Sequence, residues 1–174
     1  MRLAREIFTI GQGRRPAQEL VDCLLEAEVK TLVDVRRYPA SRRNPQFNQA
    51  TLTETLAEAG IEYRHAVELG GRRSNVAGEE RFACLGAFAG YAASMRAREW
   101  QEALAGALGE PSPCLMCAET PWQRCHRRLI SELLVARGRD VVHLIRPGER
   151  EPHRPHPDAE LREGKLYLCG SLVA

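Results

Sequence analysis

Apolar positions along this chain alternate between runs of strand length and stripes of helical spacing, one after the other. Ile7-Phe-Thr-Ile10 is a short apolar run, and Gly11-Gln-Gly13 follows as a turn. Pro16 then opens a helix with apolar positions at Ala17, Leu20, Val21 and Leu24; the missing proline N–H is harmless in a first turn. Thr31-Leu-Val-Asp-Val35 is rich in β-branched residues and reads as a second strand. An arginine- and proline-rich loop runs from Arg36 to Gln46. Asn48 is placed to cap a helix carrying Leu52, Leu56 and Ala59, which Gly60 ends in the left-handed position.

Ile61 to His65 alternates as a third strand. Residues 67–90 carry glycine clusters and charges without periodicity, so a long loop is expected there, with one helical turn near Phe82. Tyr91, Met95, Trp100, Leu104 and Leu108 mark one long amphipathic helix closed by Gly109. A strand over Cys114–Ala118, a helix from about Cys125 to Arg137 with Gly138 at its end, and a strand over Val141–Ile145 complete the series.

This succession predicts a single α/β domain over residues 1–174, with a mainly parallel five-stranded sheet and helices on both faces. Residues 146–174 read as a polar turn and tail of the same domain, ending in Lys165–Cys169 as an edge strand. Right-handed crossovers would put every strand-to-helix loop on one edge of the sheet. Those loops, Gly11–Arg15, Arg36–Arg43, Leu69–Arg73, Glu119–Arg128 and Arg146–Arg150, each carry at least two arginines. If the topology holds, the arginines share one face.

Composition narrows the reading a little. A chain of 174 residues with 44% apolar and 28% charged residues is an ordinary globular domain. No apolar run reaches membrane-spanning length and the N-terminus lacks a secretory pattern, so no membrane association and a cytoplasmic location are expected. In that compartment the six cysteines would be reduced thiols or metal ligands. Of 25 basic residues all but Lys30 and Lys165 are arginine, the side chain suited to bidentate recognition of oxyanions.

The densest chemistry lies in Cys114-Leu-Met-Cys-Ala-Glu-Thr-Pro-Trp-Gln-Arg-Cys-His-Arg-Arg128, where a strand hands over to a helix. Open parallel sheets bind ligands in that kind of crevice. Cys125 and His126 would open the helix, whose exposed N–H groups and dipole favour a thiolate or a bound anion. Glu119 is a candidate acid or base, and equally a partner for Arg36 or Arg127. Cys117 is a candidate thiol or simply a small apolar strand end. The candidate reactive set is therefore Cys117, Glu119, Cys125 and His126.

Arg36, Ser41, Arg42, Arg43 and Arg127, with Gly70 and Gly71, form the candidate ligand-binding set. A solvated loop is the alternative for the arginine run, although Pro39 and Pro45 stiffen it against a buried strand. His65 is either a strand-end histidine or a partner of Cys117, and Asp34 pairs with Arg36 or acts as an acid. Tyr38, Tyr91 and Trp122 can stack on a base; Trp100 belongs to the apolar stripe.

These residues resemble the family known as domain of unknown function 488. The resemblance runs through Thr9-Ile-Gly11, Val33-Asp-Val-Arg36, Pro39, Ser41-Arg42, Pro45 and Phe47, then Tyr63, His65, Leu69-Gly-Gly71, Phe88, Tyr91 and Met95. Its most specific part is Leu115-Met-Cys-Ala-Glu119 followed by Cys125-His-Arg127. The resemblance implies no particular activity. The family's first strand continues as Ile-Gly-His-Ser, whereas Gln12-Gly13 occupy those places here.

Three functions remain open at this point. The leading one is an enzyme that binds a phosphate-bearing ligand, a nucleotide or nucleic acid. A non-catalytic nucleic-acid-binding module is the second. A Cys/His zinc protein is the third and is disfavoured, because Cys114 and Cys117, three apart on a strand, face opposite sides. No cofactor is expected.

Overall fold

The computed structural model describes residues 6–174. Its main sheet contains β1 (Glu6–Gly11), β2 (Thr31–Asp34), β3 (Glu62–His65), β4 (Pro113–Cys117), β5 (Asp140–Arg146) and β6 (Glu149–Pro152). The strand order is β3-β2-β4-β1-β5-β6; the first five are parallel and β6 pairs antiparallel with β5. The predicted α/β class and parallel sheet therefore stand, with one antiparallel strand added. The last predicted strand, by contrast, is not an edge of this sheet. Lys165–Leu168 (β8) is the middle strand of a separate antiparallel sheet, between β7 (Glu160–Arg162) and β9 (Ser171–Leu172). Short polar hairpins joined by glycine turns carry too little alternation to reveal such a sheet in the sequence.

The sheet divides two apolar cores. On one face α1 (Ala17–Glu26) and α2 (Gln49–Glu58) bring Leu20, Leu24, Leu52 and Leu56 against Phe8, Ile10, Leu32, Cys114 and Met116. On the other, α3 (Ala89–Ser94), α4 (Arg98–Gly109) and α5 (Arg127–Ala136) join the small sheet to cover Ile7, Val33, Leu115, Cys117 and Val141. Period-2 alternation along β4 thus sends Cys114 and Cys117 into different cores. Gly60 and Gly138 take the expected left-handed conformations after α2 and α5. Asn48 sits at the start of α2, but its Oδ1 accepts the Ser41 N–H at 2.6 Å instead of capping the helix.

The long helix expected from Tyr91 to Leu108 is broken at residues 95–97. In an unbroken helix Tyr91 and Trp100 would be separated by roughly 13 Å along the axis and face opposite ways. The break lets their rings meet edge to face at 6.2 Å, with Trp100 Nε1–H donating to the Tyr91 hydroxyl at 3.3 Å. That hydroxyl in turn donates to the Leu69 carbonyl at 2.9 Å and so ties the 67–90 segment to the core. The segment itself is wound into short 3₁₀ turns over Val67–Leu69 and Glu79–Phe88, with Phe82 buried.

The expectation of six reduced cysteines is corrected. Cys84 and Cys169 form a disulfide, their Cα atoms 6.1 Å apart, within the range such bonds require. They lie 85 residues apart in sequence, so no local spacing pairs them. Cys23, Cys114, Cys117 and Cys125 are free and buried. Among the described residues no helix is long and apolar enough to cross a membrane.

Replacing Tyr91 by Phe leaves the Leu69 carbonyl and the Trp100 N–H without partners inside the core. The expected loss is about 1–3 kcal/mol of stability, read as a lowered urea midpoint with an unchanged slope. An unaltered midpoint would show that the hydroxyl holds nothing.

Candidate functional site

The crevice follows from the strand order. β1 and β2 continue into α1 and α2 on one face, while β4, between them, continues into α5 on the other. Loops leaving neighbouring strands therefore part on both sides of the β4 end, as at the switch points where parallel sheets bind ligands. A cavity of about 920 Å³ opens there, walled by the loops after β1, β2, β3 and β4. Of the five arginine-bearing loops the sequence suggested, Arg146–Arg150 is absent from it. That segment is a β-hairpin, with Arg146 paired to Glu149 and Arg150 donating to the Glu26 carbonyl.

Two buried arginines bind these loops together. Arg36 is clamped by Asp34, with Nε–Oδ1 at 2.8 Å and Nη2–Oδ2 at 2.6 Å, and it also donates to Gln12 Oε1 (2.5 Å) and the Phe47 carbonyl (2.9 Å). Tyr63 hydroxyl donates to the same Asp34 carboxylate at 2.6 Å, and burial together with that carboxylate pushes its pKa up. Asp34 is thus engaged in structural pairing. Arg127 donates from Nη2 to the Glu119 and Thr120 carbonyls, each at 3.0 Å, and from Nη1 to Thr9 Oγ1 at 3.2 Å. Neither guanidinium reaches the Glu119 carboxylate, which stays exposed at the cavity.

The thiols lie at the floor. α5 begins two residues later than expected, so Cys125 precedes the helix, and its Sγ accepts the Arg127 backbone N–H at 3.5 Å. His126 Nε2–H donates to the Val35 carbonyl at 3.1 Å, which leaves Nδ1 as an acceptor 3.5 Å from Cys125 Sγ. Burial lowers the His126 pKa to about 4, helped by the Arg127 and Arg73 charges, so the ring is neutral near pH 7. Cys117 Sγ donates to the Glu119 carbonyl at 3.4 Å, and the titrations of Cys117 and Cys125 affect each other. Burial pushes Cys117 up, but the Cys125 hydrogen bond and the Arg127 charge outweigh it and bring Cys117 down to about 7. Cys125 is raised by its bond to Cys117 and by burial.

Close backbone approach explains two glycines. A Cβ on Gly11 would stand 2.0 Å from the Glu119 carbonyl oxygen, so a side chain there would push the β4 loop away. A Cβ on Gly71 would stand 2.7 Å from His126 Nδ1, the atom that faces the Cys125 thiol. The 67–71 segment is therefore a wall pressed against the imidazole, with Tyr91 packed on it at 5.0 Å.

A family model described as Domain of unknown function DUF488 matches residues 16–134, more than half of the chain. The chain belongs to this family. The DUF488 span runs from just before α1 into α5, so it contains the whole of β4 and the thiol loop but not β1. Gln12 and Gly13 precede it. Gln12 is buried and spends its side-chain oxygen on Arg36, while a Cβ on Gly13 would meet Thr120 Oγ1 at 2.1 Å. Comparisons with curated proteins and with solved structures give no match.

Of the residues singled out in sequence, Glu119, Cys125, His126, Arg36, Ser41, Arg43, Gly71 and Tyr91 line the cavity. Arg42, Gly70, Cys117 and Arg127 do not; Cys117 and Arg127 are buried just beneath it. His65 donates from Nε2 to the Arg36 carbonyl at 2.8 Å and is not brought to Cys117. Trp122 is stacked internally on His143 at 4.4 Å. Sequence reasoning missed Gln12, Thr120 and Phe88 as lining residues; the placement of Gln12 at a sheet end was its only signal. Among the described residues no group of three or more His, Cys, Asp or Glu side chains is gathered to hold a metal ion.

The thiol pair should titrate unequally. Because Cys117 is lowered to about 7, one thiol of the pair gains nucleophilic thiolate as pH rises through neutrality, below the ordinary thiol value of about 8.5. Iodoacetamide labelling against pH, mapped by tandem mass spectrometry, is expected to give one early and one late midpoint for Cys117 and Cys125. Two midpoints in the ordinary thiol range would contradict this electrostatic reading.

Proposed function

We propose that this DUF488 protein is an enzyme that binds a phosphate-bearing ligand, a nucleotide or a nucleic acid, in the cavity at the end of β4. The observation that carries the reading is the state of its arginines. Some guanidinium groups elsewhere pair with carboxylates, as in Arg15–Glu19, Arg64–Glu110, Arg98–Glu102 and Arg162–Glu160, and others do not; the cavity differs in how many unpaired ones it gathers around one acid. Around the cavity Arg14, Arg37, Arg43, Arg72 and Arg124 pair with no carboxylate among the described residues, and Glu119 is the one acidic side chain in the lining. Five cations facing one concavity repel one another unless an anion neutralises them, and guanidinium forks fit phosphate oxygens. Arg72 also holds a left-handed backbone (φ 57°), a conformation that costs roughly 1 kcal/mol or more for a residue with a Cβ.

In this reading Ser41, whose Oγ accepts the Arg43 and Asn44 N–H groups, shapes the loop that presents Arg43. Arg36 and Arg127 hold the loops rather than the ligand. The Cys117–Cys125 pair supplies the nucleophile, neutral His126 Nδ1 faces the Cys125 thiol as a hydrogen-bond acceptor, and Glu119 is available as an acid or base at the mouth. Tyr38, 64% exposed with Arg37 over its ring, is the surface on which a base would stack.

The double variant Arg43→Ala/Arg72→Ala is expected to weaken binding of a nucleoside triphosphate or a single-stranded oligonucleotide by about tenfold or more per arginine, since each charged hydrogen bond is worth about 1.5–3 kcal/mol. Titration calorimetry of both probes checks it, and failure of the unaltered protein to bind either one would end the proposal. Cys125→Ser is expected to retain binding while abolishing turnover. An oligonucleotide affinity that falls steeply with salt, with no chemistry on any probe, would favour the non-catalytic binding module instead.

A further inference from the structure

Beneath the cavity lies a row of buried polar groups that the ligand site does not use. Thr9 Oγ1 is 2.5 Å from His143 Nδ1, His143 Nε2 is 3.0 Å from His153 Nδ1, and His153 Nε2 is 3.6 Å from Glu132 Oε2. Arg127 Nη1 donates to Thr9 Oγ1 at the other end. Arg127 and Glu132 are each 1% exposed, so the row runs from a buried guanidinium to within 3.6 Å of a buried carboxylate. Trp122 covers it, stacked on His143 and edge-on to His153 at 4.8 Å.

The direction of its hydrogen bonds can be worked out. Arginine only donates, so Thr9 Oγ1 accepts from Arg127. The Thr9 hydroxyl proton is fully buried, and His143 Nδ1 is the acceptor within reach; left unbonded it would cost about 1–3 kcal/mol. His143 must then be the Nε2–H tautomer, and burial, with the Arg127 charge, lowers its pKa to about 2, so it stays uncharged. His143 Nε2–H donates to His153 Nδ1, which leaves His153 Nε2–H facing Glu132 Oε2 at 3.6 Å, beyond hydrogen-bond distance and with no other partner for either atom among the described residues. Each step fixes the next.

We propose that Thr9, His143, His153 and Glu132 are positioning residues: a proton-ordered chain that holds Arg127 in one orientation and through it sets the reactivity of the Cys117–Cys125 pair. Arg127 is the junction. Its guanidinium fixes the Glu119 and Thr120 carbonyls on the cavity edge, and its backbone N–H reaches Cys125 Sγ. Its Nε, buried without a partner, shows that the Thr9 contact is one of few restraints on the group. Without that contact only the two Nη2 bonds to the Glu119 and Thr120 carbonyls hold the cation beside the thiols. The proposal rests on the reading of the thiols as the reactive groups.

The test uses the full chain. Long-range ¹⁵N correlation spectra of histidine-labelled protein report tautomers directly; His143 and His153 are both expected to be Nε2–H, with His143 unprotonated from pH 5 to 8. Thr9→Val, equal in shape but without the hydroxyl, is expected to slow iodoacetamide labelling of the early thiol at pH 7 by about threefold to tenfold, as its midpoint moves up by up to about one unit. Thr9→Ser should restore the rate. A merely structural role for Thr9 would lower the melting temperature without moving the labelling midpoint. An Nδ1–H tautomer at His143 overturns the proposal on the unaltered protein, even if Thr9→Val does not fold. A low midpoint that Thr9→Val leaves in place also overturns it alone. Absence of a low midpoint in the unaltered protein overturns the thiol reading, and this inference with it.

Discussion

A guanidinium cannot be left bare in an apolar interior, because each of its five N–H groups loses water and the charge cannot be shed. Arg36 is buried just after β2 and Arg127 at the start of α5, and the loops around them are arranged to satisfy them. Arg36 draws in Asp34, Gln12 and the end of the loop before α2. Arg127 draws in Thr9 and the backbone of the β4 loop. The cavity is the space these two centres leave between them. Removing either partner of the Asp34–Arg36 pair would strand a buried charge, a loss of about 3–5 kcal/mol.

This division of labour also explains why the thiol site keeps a low local pKa while buried. Burial alone disfavours a thiolate; the Cys125 hydrogen bond and, after it, the neighbouring Arg127 charge offset that cost from within the protein rather than from bulk water. A fixed internal cation is screened little by salt, unlike the exposed arginines at the cavity mouth. The two kinds of arginine therefore answer to different conditions. Those facing the cavity are open to screening by salt; those beneath it are held by packing.

Much of the architecture was legible from periodicity. β-branched runs gave the parallel strands, and the alternation along β4 correctly separated Cys114 from Cys117. The convergence of four loops followed from handedness alone. What periodicity could not carry was the direction in which arginines point. Arg36 and Arg127 belong to runs that look uniformly cationic, yet both turn inward because a carboxylate or free carbonyls lie within reach. The break after Ser94 was hidden for a related reason: Tyr91 and Trp100 fit a helical stripe, but their edge-to-face contact and shared hydrogen bond prevail over a continuous helix. The pairing of Cys84 with Cys169 has no local signature.

That disulfide has a mechanical meaning for the cavity. Cys84 belongs to the same 3₁₀-wound segment as Ala87 and Phe88, which form part of the cavity wall, and Cys169 follows β8 in the small C-terminal sheet. The small sheet lies entirely beyond residue 134, where the family match ends. One side of the cavity is thus moored by a covalent tether to a small sheet outside the matched span. How far that side can breathe is set by the small sheet, which lies outside the span that supplies most of the cavity wall.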